Sequence, residues 1–359
     1  MSKRNCTTKK KTSSQQAKVR ETLITEDFFP KSITINKSEI FPMVVMATMS
    51  SGKSTLINAL LGEQILPSRN EACTAKVYSV LDDDQDGKVK IFVTYRNGET
   101  VIHEEKIAAE LEKANSNDEV TDILIRGHVN GVLNTDKALL IVDTPGPNNS
   151  RDDSHQQVML NIMKKIKGGL ILYVLNATQL GINDDKSLLG IIKDYVKDNP
   201  KVEILFVINK IDLIDDEKEE SVGQFVDIAY EYLQHNGINN PQIIPVSALA
   251  AGLFKKVLNK GDLTRSEYRS FCGYFDMYKP RDFNMSSFAI TSSHPGQHDS
   301  VEVRGEKYVV GDLNRAIENT GIKLLEEEIQ KAQILSSNTV ENIIKINGGI
   351  NNDTFFNRV

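Results

Sequence analysis

Apolar runs of strand length recur along the chain, at Met43 to Ala47, Leu139 to Val142, Leu170 to Leu175, Ile204 to Ile208 and Ile243 to Val246. Each is short, nearly continuous and followed by a polar turn, which is the pattern of a strand buried on both faces. Helical stretches separate them, such as Asp185 to Lys197 and Glu219 to Leu233. Strands apolar on both faces, alternating with helices, predict a mostly parallel, doubly wound α/β sheet with helices on both sides. Two more strands, near Lys76 to Leu81 and Lys88 to Tyr95, flank an Asp-rich turn ending in Gly87. The spacing predicts that these two pair with each other as an edge hairpin.

After Ala251 the periodicity weakens until Gly321 to Ile329, where Ile322, Leu325, Ile329 and Ala332 fall on one helical face. Residues 252–320 therefore read as an insertion before a closing helix. Pro280, His294, Pro295 and Gly296 make part of it a long loop. Residues 1–24 are rich in Lys, Ser and Thr and are expected to be a disordered basic tail, either a solvated arm or a weak contact to an anionic surface. Residues 25–335 are expected to form one domain, and 336–359 a short C-terminal tail.

Composition narrows the class without naming a function. Of 359 residues, 40% are hydrophobic and 26% charged, with a net charge of -6. That is an ordinary globular balance, and no nucleic-acid partner is expected from it. Cys6, Cys73 and Cys272 are far apart and lack metal-ligand spacing, which fits a reducing compartment and a cytoplasmic protein. No apolar run reaches the ~18 residues that would cross a bilayer.

Chemistry concentrates at the ends of the apolar runs. Ala47-Thr48-Met49-Ser50-Ser51-Gly52-Lys53-Ser54 follows the first strand and opens a helix from about Ser54 to Leu61. That is the context of a phosphate-binding loop. Backbone N–H groups of Ser51, Gly52, Lys53, Ser54 and Thr55 converge on anionic phosphates, Lys53 adds a point charge, and the Ser54 hydroxyl suits Mg²⁺. The loop departs from the usual pattern in having Ala47 as its first residue, which requires a negative φ there. Asp143-Thr144-Pro145-Gly146 ends the strand Ala138 to Val142; Asp143 suits a Mg²⁺-bound water and the Gly146 N–H a γ-phosphate. Asn209-Lys210-Ile211-Asp212 ends the next run but one. The Asp212 carboxylate matches the two adjacent donors of guanine, whereas adenine presents an acceptor at one of those places, a mismatch worth up to about 10⁴ to 10⁵ in selectivity. Ser247-Ala248 ends a further strand, with the Ala248 N–H placed to meet the guanine carbonyl.

These four motifs have the order and strand positions of translation-factor-class P-loop GTPases. Within that class, Met49 to Gly62, followed by Leu66-Pro67-Ser68 and Glu71-Ala72-Cys73-Thr74-Ala75, resembles the bacterial dynamin family. The resemblance implies a G domain that hydrolyses the GTP β–γ bond. It assigns Thr74 to Mg²⁺ and the attacking water, and Ser50 to the β,γ-bridge oxygen. Pro147 and Asn148 stand where small Ras-like GTPases carry a water-orienting glutamine, and Met49 where the best-studied dynamins have Gln. A lone protomer should therefore be slow. The family meets such a deficit by facing two G domains across the nucleotides, often with a monovalent cation; Arg69 and Arg151 are further charge donors or plain surface residues. A homodimer through the G domain, a stalk or partner on another polypeptide, and peripheral membrane contact follow from the resemblance. A GTP/GDP switch recruiting a partner, or an Era-type ribosome-assembly GTPase, shares the same motifs.

Overall fold

The computed structural model describes residues 22–33, 35–48, 50–66, 76–82, 89–127, 132, 137–145, 153–180, 183–213, 221–280, 300–304 and 306–337. Its strands are β1 (Ile40–Ala47), β2 (Val77–Asp82), β3 (Lys90–Tyr95), β4 (Thr100–His103), β5 (Val120–Gly127), β6 (Ala138–Asp143), β7 (Gly169–Asn176), β8 (Val202–Asn209), β9 (Ile243–Val246), β10 (Ser300–Val303) and β11 (Glu306–Val309). Its helices are α1 (Lys53–Leu61), α2 (Ile107–Ser116), α3 (Asp153–Lys165), α4 (Asn183–Asp198), α5 (Val222–His235), α6 (Ala248–Leu258), α7 (Arg265–Tyr278), α8 (Val310–Asn319) and α9 (Ile322–Ser337).

Nine strands form one sheet in the order β4-β3-β5-β2-β6-β1-β7-β8-β9, and β10-β11 form a separate pair. From β6 to β9 all pairings are parallel. Every residue of β1 and β7 is buried, as their unbroken apolar runs require of central strands covered on both faces. Pro42 sits within β1 without an N–H to donate, and pairing of β1 with β7 begins one residue later, at Met43. This is the α/β P-loop fold expected from the sequence.

The edge differs from the expectation in one respect. β2 and β3 do not pair with each other: β2 lies parallel to β5 and antiparallel to β6, while β3 pairs with β4 and β5. The edge hairpin is instead β3-β4, turning at residues 96–99. The cause is a strand that the apolar pattern announces only weakly: β5 centres on the three buried residues Ile123, Leu124 and Ile125, between the polar Asp122 and Arg126, and inserts between β2 and β3.

Helix starts are written locally. Ser221 caps α5 and Thr264 caps α7, each in a reciprocal capping box, with Gln224 and Glu267. Lys256 then pairs with Glu267 at 2.9 Å, joining α6 to α7. Ile322, Leu325 and Ile329 of α9 are fully buried, the face read from their spacing.

Residues 252–320 begin inside a helix, since α6 runs to Leu258, and continue with α7, β10-β11 and α8. Phe254, Phe271, Phe275 and Tyr278 interlock edge to face between α6 and α7 and extend the core into this segment. The loop carrying His294, Pro295 and Gly296 lies outside the described residues. So do residues 1–21 of the expected N-terminal tail and all of the C-terminal tail after Ser337. Leu23 and Ile24, at the end of that N-terminal stretch, are buried, and Ile24 bridges to Ile166 after α3. Among the described residues no helix is long and apolar enough to cross a membrane.

Candidate nucleotide-binding site

β1 delivers the phosphate loop to the C-terminal edge of the sheet. Ala47 is the last strand residue, in register with Val174, and its φ is not positive; the left-handed positions described in the loop are Ser50 (φ 60) and Gly52 (φ 83). Alanine is therefore accommodated where the usual pattern has glycine. The Ser51 hydroxyl donates to the Thr48 carbonyl at 2.9 Å and closes the loop. Gly52 is the N-cap of α1, and no described side chain caps the helix. The first-turn N–H groups of Lys53, Ser54 and Thr55 are left for an anion.

Gly52 is held by more than its φ. A Cβ there would run into the Asn209 carboxamide nitrogen, and the Lys210 stem passes beside it. The Asn209-Lys210 turn thus lies directly against the loop at Gly52.

β6 pairs with β1 so that Asp143, its last residue, is in register with Val45, two residues before the end of β1. Across that register the Lys53 ammonium forms an ion pair with one Asp143 oxygen, and the Ser54 hydroxyl donates to the other at 3.1 Å. Thr144 fixes the turn that follows by donating its hydroxyl to the Val45 carbonyl at 2.9 Å. A buried carboxylate beside a hydroxyl at a helix N-terminus is a set of hard oxygen donors, which suits Mg²⁺ held partly by substrate phosphates.

The loop after β1 is tied to the start of α6 through Asn209. Its side-chain nitrogen donates to the Ser51 carbonyl at 2.9 Å, and its side-chain oxygen accepts from the Ala248 N–H at 3.1 Å. Lys210 follows in left-handed backbone (φ 67), turning Asp212 back toward β9. The Ser247 hydroxyl donates to one Asp212 oxygen at 2.7 Å, and the Tyr274 hydroxyl to the other at 3.1 Å.

Ser50, Ser51, Gly52, Lys53, Ser54, Thr55, Asp143, Asn209, Lys210, Asp212, Ser247 and Ala248 all stand at this one end of the sheet, on β1, β6, β8, β9 and the turns after them. Thr74 and Gly146 lie outside the described residues, as do Met49, Arg69, Arg151, Pro147 and Asn148. Two residues escaped the sequence reading. Asn176 donates to the Ser50 carbonyl at 3.5 Å and orders the turn at Thr178. It was detectable as the polar residue ending β7, the neighbour of Asn209 in register. Tyr274 carries no such signal, because only the packing of α7 brings it to Asp212.

A family model described as the dynamin family matches residues 43–211. A bacterial dynamin-like protein of Nostoc punctiforme is 28% identical over 187 residues, 49% of this chain and 25% of that protein. An uncharacterised protein encoded in the xynA 3′ region of Caldicellulosiruptor is 29% identical over 217 residues, 59% of this chain and 50% of that protein. The chain thus spans half or less of these curated relatives. A solved structure of an oligomerised bacterial dynamin pair, described as sensing and tethering membranes, aligns with 90% of this chain and 46% of its own, at 17% identity and a TM-score of 0.46. The segment that matches the dynamin family model runs from β1 through the phosphate loop and Asp143 to Asn209 and Ile211, and so takes in three of the four motif regions at this end of the sheet.

Proposed function

We propose that this chain binds GTP and hydrolyses its β–γ bond with Mg²⁺, and that pairing of two G domains accelerates the step. The observation that carries the reading is the position of Asn209, bonded at once to the Ser51 carbonyl of the phosphate loop and to the Ala248 N–H of the base end. One side chain sets the distance between a triphosphate grip and a purine reader.

Phosphoryl transfer to water needs positioning and charge stabilisation more than covalent chemistry. The α1 amides and Lys53 hold the phosphates; for this, Lys53 exchanges its Asp143 partner for phosphate oxygens. Ser54, and Asp143 through a bound water, would hold Mg²⁺, which would supply charge neutralisation at the phosphates. Ser50, exposed in left-handed backbone, is assigned to the β,γ-bridge oxygen by its resemblance to the family. Thr74 and the Gly146 N–H are assigned to the attacking water by their resemblance to the family. Asp212 reads guanine, with the Ala248 N–H directed to the base carbonyl.

Turnover per protomer is expected to rise with protein concentration, to need Mg²⁺, and to vanish in Lys53→Ala together with tight nucleotide binding. Specific activity that stays flat over a hundredfold concentration range would rule out pairing-assisted hydrolysis. Micromolar GTP affinity retained by Lys53→Ala would undo the phosphate-loop assignment.

A further inference from the structure

Tyr274 stands on α7, in the segment after the last sheet strand, and none of the four nucleotide motifs includes it. Its hydroxyl donates to Asp212 Oδ2 at 3.1 Å while the Ser247 hydroxyl donates to Asp212 Oδ1 at 2.7 Å. The two bonds grip the carboxylate from both sides. An ionised carboxylate has about four lone-pair sites, so two remain after these bonds. That is the number a guanine edge uses through its N1–H and 2-amino donors.

The torsion that turns an Asp carboxylate is broad and roughly two-fold, so an ungripped group swings through a range of planes. Accepting one donor tolerates that swing, because either oxygen can follow the hydrogen. Accepting two adjacent donors from one planar edge does not, because the carboxylate plane must coincide with the base plane. We propose that Tyr274 is a positioning residue for base selectivity, locking the Asp212 plane together with Ser247 so that the site favours a purine with a 2-amino group. This rests on the guanine reading given above.

The Tyr274 hydroxyl remains a donor under ordinary conditions. Burial, then the charge of Asp212, then the hydrogen bond to it, push its pKa far above the usual tyrosine range. The ring is anchored by its place on α7, half-buried against the core and 6.4 Å from the Tyr278 ring.

Calorimetric titration of the full chain with GDP, inosine diphosphate and ADP tests the proposal, because hypoxanthine keeps N1–H and lacks the 2-amino group. In Tyr274→Phe, GDP affinity is expected to fall about tenfold, the scale of one hydrogen bond to a charged acceptor. Inosine diphosphate should lose clearly less, so the GDP-to-IDP ratio drops, a change that a merely structural loss of stability would not produce. Ser247→Ala removes the opposite grip and should lower the same ratio, which keeps the test open should the Phe variant fold poorly. Equal losses for both nucleotides would overturn the proposal and reduce Tyr274 to packing. Tighter GDP binding would also overturn it, by showing that the hydroxyl competes with the base. A wild-type chain that does not distinguish GDP from ADP would sink the guanine reading itself, a different failure from an unchanged GDP-to-IDP ratio.

Discussion

Replacing Asn209 with Ala removes the only described side chain that bonds both the phosphate loop and the start of α6. Two hydrogen bonds disappear, to the Ser51 carbonyl and from the Ala248 N–H. Each contributes about 0.5–1.5 kcal/mol net, and an orphaned buried group costs about 1–3 kcal/mol more. Ser51 is 1% exposed and Ala248 fully buried, so neither freed group reaches bulk water without movement. The substitution should therefore destabilise the fold by about 2–4 kcal/mol, a thermal shift of roughly 4–16 °C at about 2–4 °C per kcal/mol for a large domain. Since the Ser51 carbonyl belongs to the loop proposed to hold the phosphates, nucleotide affinity should fall with it. Asn209→Asp separates the two bonds, keeping an acceptor for Ala248 while setting a carboxylate oxygen against the Ser51 carbonyl. It should lose affinity at least as severely. Differential scanning calorimetry of the free variants and GDP titrations read both effects. An Asn209→Ala protein melting within about 1 °C of wild type, with unchanged GDP affinity, would refute the reasoning.

Lys255 is buried against Glu326 and donates to the Ala59 carbonyl at 2.7 Å, so it ties the end of α1 to α6 and α9. Lys255→Met leaves the buried Glu326 with the partly exposed Lys323 as its remaining cation, at 2.8 Å, and should cost about 3 kcal/mol; adding Glu326→Leu should recover most of it in denaturant titrations. Gly52→Ala forces a left-handed alanine, costing about 1–2 kcal/mol, and pushes its Cβ into Asn209; GDP affinity should drop at least tenfold by calorimetry. Thr264→Ala removes the α7 capping box and should lower stability by about 1 kcal/mol, read as a shift of the chemical denaturation midpoint.

The parallel half of the sheet was legible because β1, β6, β7, β8 and β9 are buried on both faces and so announce themselves as unbroken apolar runs. Motifs at their ends inherited that legibility: a residue after an apolar strand is at the ligand-binding edge of an open α/β sheet. The antiparallel half was not. β5 offers only the three-residue apolar run Ile123-Leu124-Ile125 between Asp122 and Arg126, too short to stand out beside the longer runs of the parallel strands. Its insertion between β2 and β3 is a long-range choice that neither neighbour's sequence records. α7 illustrates the same limit at the site. Its cap is written in Thr264 and Glu267, yet the meeting of Tyr274 with Asp212 depends on how α7 packs on α6 through Phe254 and Phe271. Spacing says nothing about such a contact. Asn176, by contrast, could have been found, since it occupies in β7 the place that Asn209 occupies in β8.

The central claim is that one edge of this sheet selects guanine through the Asp212 carboxylate while a loop of amides and Lys53 holds the phosphates. Titration calorimetry of the full chain with GDP and ADP in parallel addresses it most directly. The account predicts micromolar or tighter GDP binding and at least a hundredfold weaker ADP binding, a gap that Asp212→Ala closes. Equal affinity for the two nucleotides, or a GDP preference that survives in Asp212→Ala, would contradict it.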